Sequence, residues 1–348
     1  MNVVMDEKIP FLRDALLAMG HTVVALPGVE IAHKDVECAD ALFVRTRTLC
    51  NASLLSGTKV RFIGTATIGY DHIDSDYCSK NNIRWVSAPG CNADAVLQYV
   101  QSSVYCWAQK YERSLDGLTL GIVGVGEIGR RVARWARSIG LNVLLNDPPR
   151  ALAEGDREFV PLSDIAEKCD IINFHPTLNR EGAFPSYHLA DEVFFRSLRR
   201  SPLFINASRG PVADNMALIK AIDEKLISAA VIDVWENEPD INLELLEKAF
   251  IATPHIAGYS AEGKLNASRM MLEAFVEFFS CGNNVPTIAL PALSDSLIVA
   301  KSLSDALLSI YSPLSDTAVL KDSPSTFEKQ RNNYKLRREP SAFRIELK

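Results

Sequence analysis

The sequence predicts an α/β protein built on parallel sheets. Three observations carry this. Short apolar runs alternate with helix-like stretches at βα spacing. A β-run at 118–124 ends in glycines and opens a helix. A second series of apolar strands then continues to about Ala257, each strand with a polar residue just past its end.

The elements follow in order. Asn2 to Met5 reads as an opening strand, and Phe11 to Met19 as a helix closed by Gly20. His21 to Leu26, Ala41 to Val44, Arg61 to Gly64 and Ile83 to Val86 are strand-like. Asn92 to Lys110 is a long apolar helix. Leu118 to Gly124, Asn142 to Asn146, Phe204 to Asn206, Ala230 to Ile232 and Phe250 to Ala252 are the strands of the second series. Gly263 to Phe279 reads as one helix, with Leu265, Met270, Met271, Leu272, Phe275 and Phe279 at apolar positions. The character changes after Cys281, which places a domain boundary near residue 284. Composition alone would leave the charge-rich stretch after about residue 322 disordered.

At 348 residues the chain is long enough for two or three domains, and 47% hydrophobic content supplies a large core. A net charge of −6 argues against a general nucleic-acid binder. The seven cysteines are odd in number and lack C-x-x-C spacing. Met1 to Glu7 does not read as a secretory leader, so free thiols and a cytoplasmic location are expected. No apolar run of about 18 residues predicts a membrane span, and no metal is expected.

Gly124-Val125-Gly126-Glu127-Ile128-Gly129 is a G-x-G-x-x-G between an apolar strand and a helix expected over Arg130 to Ser138. The first Gly permits the tight turn. The second admits a pyrophosphate, and the third lets helix and strand pack closely. The helix N-terminus offers N–H groups and a positive partial charge to phosphates. The next strand ends at Asp147, where an acid binds ribose hydroxyls and repels a 2′-phosphate. NAD is therefore favoured over NADP, although Arg150 stands close by.

Three segments carry the candidate chemistry. They are Phe204 to Gly210 with Arg209, Ala230 to Pro239 with Glu238, and Phe250 to Gly258 with His255. In a doubly wound sheet such strand ends face the ligand crevice. A His suits removal of a hydroxyl proton as hydride leaves carbon. A carboxylate beside it holds its tautomer, and an Arg binds a substrate carboxylate through two parallel hydrogen bonds. Taken singly, each of these residues has an ordinary structural explanation.

The stretches Asn206 to Pro211, Ile232 to Pro239 and Thr253 to Gly258 resemble the signatures of the D-2-hydroxyacid dehydrogenase family, and the resemblance runs in order over residues 1 to about 280. It implies Arg209 as the substrate-orienting Arg, Glu238 as the partner carboxylate, His255 as the acid/base and Asp233 near the nicotinamide. It adds Glu127, Ile128, Pro176, Ala207, Ser208, Arg209 and Gly258 to the glycines and Asp147 as cofactor contacts. The implied fold is a Rossmann-type doubly wound parallel sheet inserted into a smaller flavodoxin-like substrate domain. Residues 1–95 with 260–281 would form the substrate domain and 96–259 the NAD domain.

Asp6 to Pro10, Gly64 to Gly69, Ala88 to Ala93, Asn146 to Arg150 and Pro254 to Tyr259 resemble one branch of that family, acting on a phosphorylated four-carbon 2-hydroxy acid. Phe327 to Tyr334 with Arg337 to Glu339 resembles the C-terminal α+β dimerisation domain of that branch, here 285–348 and shortened. This replaces disorder by a folded segment and implies a homodimer. Thr46, Thr67 and Tyr259 would touch substrate, and Arg45 and Arg47 are candidate phosphate partners. Two positions depart from the family. Phe174-His175-Pro176-Thr177 places Pro directly after the His, so this loop has no N–H to donate at 176. Gln98 stands where many relatives carry Glu. A different 2-hydroxy acid such as phosphoglycerate, or a non-enzymatic NAD-binding regulator, remain alternatives at the level of sequence.

Overall fold

The structure is a computed structural model that describes residues 1–155, 157–281 and 286–348. The boundary expected near residue 284 lies outside the described residues. The chain divides into two compact units, one of Met1–Asn92 with Ser260–Ser294, the other of Ala93–Tyr259 with Asp295–Lys348.

The first unit holds five parallel strands: β1 (Asn2–Asp6), β2 (Thr22–Leu26), β3 (Ala41–Val44), β4 (Phe62–Thr65) and β5 (Arg84–Val86). Their order, β2-β1-β3-β4-β5, is the flavodoxin-like one. β3 and β4 are buried along their whole length, which is why they read as unbroken apolar runs. One face of the sheet packs Phe43 and Phe62 against Phe275 and Met271 of the helix Ala261–Phe279. Gly64 makes this packing possible, since a Cβ there would come within 2.6 Å of the Phe43 ring. The helix starts two residues before the sequence pattern suggests, because the Ser260 side chain caps it by accepting from the Gly263 N–H.

The second unit is built on six parallel strands: β6 (Thr119–Val123), β7 (Asn142–Asn146), β8 (Ile171–Phe174), β9 (Leu203–Asn206), β10 (Ala229–Ile232) and β11 (Ile251–Ala252). Their order is β11-β10-β9-β8-β6-β7, a Rossmann-type doubly wound sheet. A single bridge between Leu145 and Phe159 stands at the β7 edge. The order reverses between β6 and β8, so their C-terminal ends form the switch point where ligands bind such sheets.

The helix Ala93–Lys110 buries Val96, Tyr99, Val100, Val104 and Trp107, so it is an interior element rather than an amphipathic surface one. The C-terminal residues fold onto this unit. Leu307 and Tyr311 join the apolar cluster of Val100 and Trp107. Leu320 and Phe327 join that of Leu245 and Ala252. Of these four buried side chains, Phe327 lies in the stretch after about residue 322 whose composition suggests disorder, and it anchors that stretch to the core. β12 (Leu297–Ala300) and β13 (Arg344–Leu347) close it as a parallel pair. Among the described residues, no helix is long and apolar enough to cross a membrane.

Candidate active site

The glycine-rich turn follows β6 directly. Gly124 adopts φ +88°, and a Cβ there would lie 2.5 Å from the backbone nitrogen of Pro176. A side chain at Gly129 would collide with the Gly124 carbonyl, so helix and strand touch there through backbone. At Gly126, by contrast, a Cβ would meet nothing within 4 Å. The helix that follows is Glu127–Ser138, three residues longer at its start than expected, and it places Glu127 and Ile128 in the first turn. Glu127 pairs there with Arg130 and Arg131.

Asp147, at the end of β7, is held on two sides. Its Oδ2 accepts the Val125 N–H at 2.8 Å, and its Oδ1 caps the helix Pro148–Glu154 at the Arg150 N–H. The Arg150 guanidinium donates to the Val125 carbonyl and pairs with Glu154. A cavity of about 950 Å³ opens here, lined by Gly124, Gly126, Asp147, Pro148, His175 and Pro176 among others. His175 is half-buried with both ring nitrogens shielded from solvent, and this desolvation holds its pKa down to about 3, so its ring is neutral. An open cradle at Gly126, a helix N-terminus and an acid at the neighbouring strand end fit a dinucleotide.

The three candidate segments leave β9, β10 and β11. After β9 the Asn206 side chain folds the turn back on itself: Oδ1 accepts from the N–H and Oγ of Ser208, and Nδ2 donates to the Arg209 carbonyl. Ala207 and Ser208 are buried in this turn, while Arg209 has extended backbone and donates to the Ser208 carbonyl. Gly210 lies so close to the segment after β10 that a Cβ would collide with the Trp235 carbonyl. Only Gly lets the Arg209 turn approach Trp235 and thereby Glu238.

Glu238 links the other two segments. Its Oε1 accepts the Trp235 N–H at 2.9 Å, and its Oε2 meets His255 Nδ1 at 2.8 Å. Burial works to raise the Glu238 pKa. The His255 charge and hydrogen bond, the Trp235 N–H and Arg331 outweigh it, leaving this carboxyl below the ordinary value. Arg331, on the helix Phe327–Asn332, stands 4.0 Å from Glu238 Oε2.

His255 sits in the left-handed region at φ +57°, a conformation that persists only where its surroundings fix it. Asp233 does so. Its carbonyl accepts the His255 N–H at 2.8 Å. Its buried carboxylate accepts from Thr253 Oγ1, the Ile256 N–H and the Ala257 N–H. Burial raises the Asp233 pKa, while His255 and these donors oppose that. Thr253 is fixed in turn by the Tyr99 hydroxyl and, through its carbonyl, by Trp235 Nε1.

Gly258 and Tyr259 follow on the same loop, and the Tyr259 ring meets Tyr334 edge-on at 6.2 Å. Thr46 and Thr67 belong to the first unit, past the ends of the paired strands β3 and β4. Thr46 is exposed, as is Arg47, and Arg45 is half-buried. Thr67 Oγ1 bonds the Gly69 carbonyl and Thr65 Oγ1. Arg331, Trp235, Thr253 and Gly210 were not singled out by sequence reasoning. Gly210 had a visible signal, a lone glycine directly after the candidate Arg.

The dinucleotide turn and the carboxylate–histidine pair together define a nicotinamide-dependent dehydrogenase. The family described as D-isomer specific 2-hydroxyacid dehydrogenase, NAD binding domain, matches residues 92–257. An erythronate-4-phosphate dehydrogenase of Bacteroides thetaiotaomicron is 50% identical over 99% of each chain. Namesakes from Porphyromonas gingivalis and Escherichia coli O157:H7 are 43% and 39% identical, over 99% of this chain and 95% and 94% of theirs. The fold is shared with 3-phosphoglycerate dehydrogenase of Entamoeba histolytica with NAD bound, at TM-score 0.68 and 24% identity, over 84% of this chain and 99% of that one. It is also shared with D-lactate dehydrogenase of Aquifex aeolicus in complex with NAD and lactic acid, at TM-score 0.64 and 24% identity, over 80% and 96%. The chain belongs to the D-isomer specific 2-hydroxyacid dehydrogenases, in the group of the erythronate-4-phosphate dehydrogenases, and its cofactor is NAD.

Proposed function

We propose that this protein oxidises 4-phospho-D-erythronate at C2 to (R)-3-hydroxy-2-oxo-4-phosphooxybutanoate, a step in vitamin B6 biosynthesis. The contact that carries the chemistry is Glu238 Oε2 to His255 Nδ1 at 2.8 Å. The full-length identity of 50% to an erythronate-4-phosphate dehydrogenase carries the choice of substrate.

With Glu238 ionised, Nδ1 of His255 holds the proton of that bond and Nε2 is the nitrogen that accepts the substrate hydroxyl proton. The imidazolium that forms is stabilised by the Glu238 charge. Arg209 binds the substrate carboxylate and polarises the reacting oxygen. NAD, when bound, supplies the hydride acceptor. Gly124, Gly126, Glu127, Ile128 and Gly129 would hold its pyrophosphate, and Asp147 its ribose. Pro176, Ala207, Ser208, Arg209, Asp233 and Gly258 would flank the rest, with Asp233 acting through the loop it holds. Thr46, Thr67 and Tyr259 would contact the substrate through their hydroxyls.

In this reading residues 1–95 with 260–281 serve the substrate, 96–259 the cofactor and 285–348 dimerisation. Leu297 and Val299 support a homodimer, since they are about half exposed on one face of β12. Light scattering coupled to size exclusion tests this, with one chain mass contradicting it. All seven cysteines are free, in keeping with a reducing compartment such as the cytoplasm. NADH formation with a panel of 2-hydroxy acids tests the activity. Equal or better turnover of D-3-phosphoglycerate would sink the substrate assignment.

A further inference from the structure

Arg337 reaches the catalytic loop from the C-terminal segment. Its guanidinium is buried and donates in four directions: Nε to Gln98 Oε1 at 3.0 Å, Nη1 to the Ile256 carbonyl at 3.0 Å, and Nη2 to the carbonyls of Ala95 and Ala257. Its flat face lies 4.2 Å from the centre of the Tyr311 ring. Gln98 returns a hydrogen bond to the Arg338 carbonyl at 3.1 Å.

The acceptors form a pattern. The N–H groups of Ile256 and Ala257 go to the Asp233 carboxylate. The carbonyls of the same two residues go to Arg337. The two residues after His255 are thus gripped from both sides, by an anion on their donors and a cation on their acceptors. A planar fork of five donors can serve these acceptors together, whereas an ammonium cannot. Burying a guanidinium is costly unless its hydrogen bonds are met, and here the catalytic loop meets two of them.

We propose that Arg337 is a positioning residue for the His255 loop, which makes the C-terminal segment part of the catalytic machinery. This rests on His255 being the acid/base. His255 holds a left-handed conformation that its neighbours must fix. Loss of Arg337 frees the carbonyl side of the loop while leaving Glu238 and Arg209 untouched. A shift of about 1 Å at a reacting group costs roughly 10²-fold in rate.

The experiment compares full-length wild type, Arg337→Met and Arg337→Lys. Five quantities are measured: NADH-binding stoichiometry, kcat and KM for 4-phospho-D-erythronate, the C2-deuterium isotope effect on kcat, and amide exchange of the peptide 253–259. The expected result for Arg337→Met is full NADH occupancy, kcat down roughly 10²-fold with KM changed far less, a larger isotope effect, and faster exchange at Ile256 and Ala257. Arg337→Lys should fall between the two, and it carries the test if Arg337→Met does not fold. Wild-type kcat, isotope effect and exchange in a folded variant would overturn the proposal. So would activity lost only in proportion to NADH sites lost, because that is a role in folding alone. If wild type does not turn over 4-phospho-D-erythronate, the substrate reading fails separately, and the exchange comparison still decides the role of Arg337.

Discussion

His255 and Glu238 meet through Nδ1 and Oε2 at 2.8 Å, with the second Glu238 oxygen held by the Trp235 N–H. The imidazole is therefore oriented by a carboxylate that is itself fixed by backbone. His255→Ala removes the group assigned to the hydroxyl proton. Turnover should fall by roughly 10² or more, in line with general-base contributions. NADH binding should be retained, because the glycine turn and Asp147 are untouched. Steady-state rates with fluorescence titration of NADH check this, and near-normal turnover would remove His255 from the base role.

The Glu238 carboxyl lies below its ordinary value. A carboxyl with a depressed folded-state pKa contributes stability above its unfolded pKa of about 4, and that contribution is lost as pH falls through the folded value. Glu238→Gln should therefore destabilise most at neutral pH. The difference from wild type should shrink as pH drops below about 4. Urea unfolding across that range reads it; a difference that grew on acidification would mean that the folded protein holds the Glu238 carboxyl above, not below, its unfolded value.

Asp147 accepts two backbone N–H groups, those of Val125 and Arg150. Asp147→Ala should relax the preference for NAD over NADP, since a carboxylate that repels a 2′-phosphate is gone. It should also cost about 1 kcal/mol for the lost helix cap. The ratio of kcat/KM for the two cofactors, with a melting curve, measures both. An unchanged ratio would count against the ribose role.

Asp233 satisfies the Thr253 hydroxyl and the N–H groups of Ile256 and Ala257. Asp233→Ala leaves buried donors without acceptors, at about 1–3 kcal/mol for such a group. Stability and kcat should fall together, with denaturant unfolding and turnover measured on one preparation. A variant of full stability would show that these hydrogen bonds do not fix the loop.

Much of this organisation was legible in the sequence, and the reason is physical. Parallel strands buried on both faces appear as apolar runs, so Ala41 to Val44 coincides with β3 and Ala230 to Ile232 falls within β10. Chain direction and the switch point then place Arg209, Glu238 and His255 at strand ends. What local pattern could not show was long-range. Gln98 and Arg337 are 239 residues apart, and a charge-rich tail gives no periodicity from which a buried arginine could be read. Gly210 and Trp235 likewise meet only because two turns pack backbone against backbone. The earlier start of the helix Glu127–Ser138 was hidden by the glycine at 129, which reads as turn but serves as a helix–strand contact.

The most direct measurement is NADH formation by the purified full-length protein with 4-phospho-D-erythronate and, in parallel, D-3-phosphoglycerate, after the bound nucleotide has been counted. The account predicts that 4-phospho-D-erythronate is oxidised with the higher kcat/KM. Equal or faster oxidation of D-3-phosphoglycerate, or no oxidation of either acid by NAD-loaded protein, would contradict it.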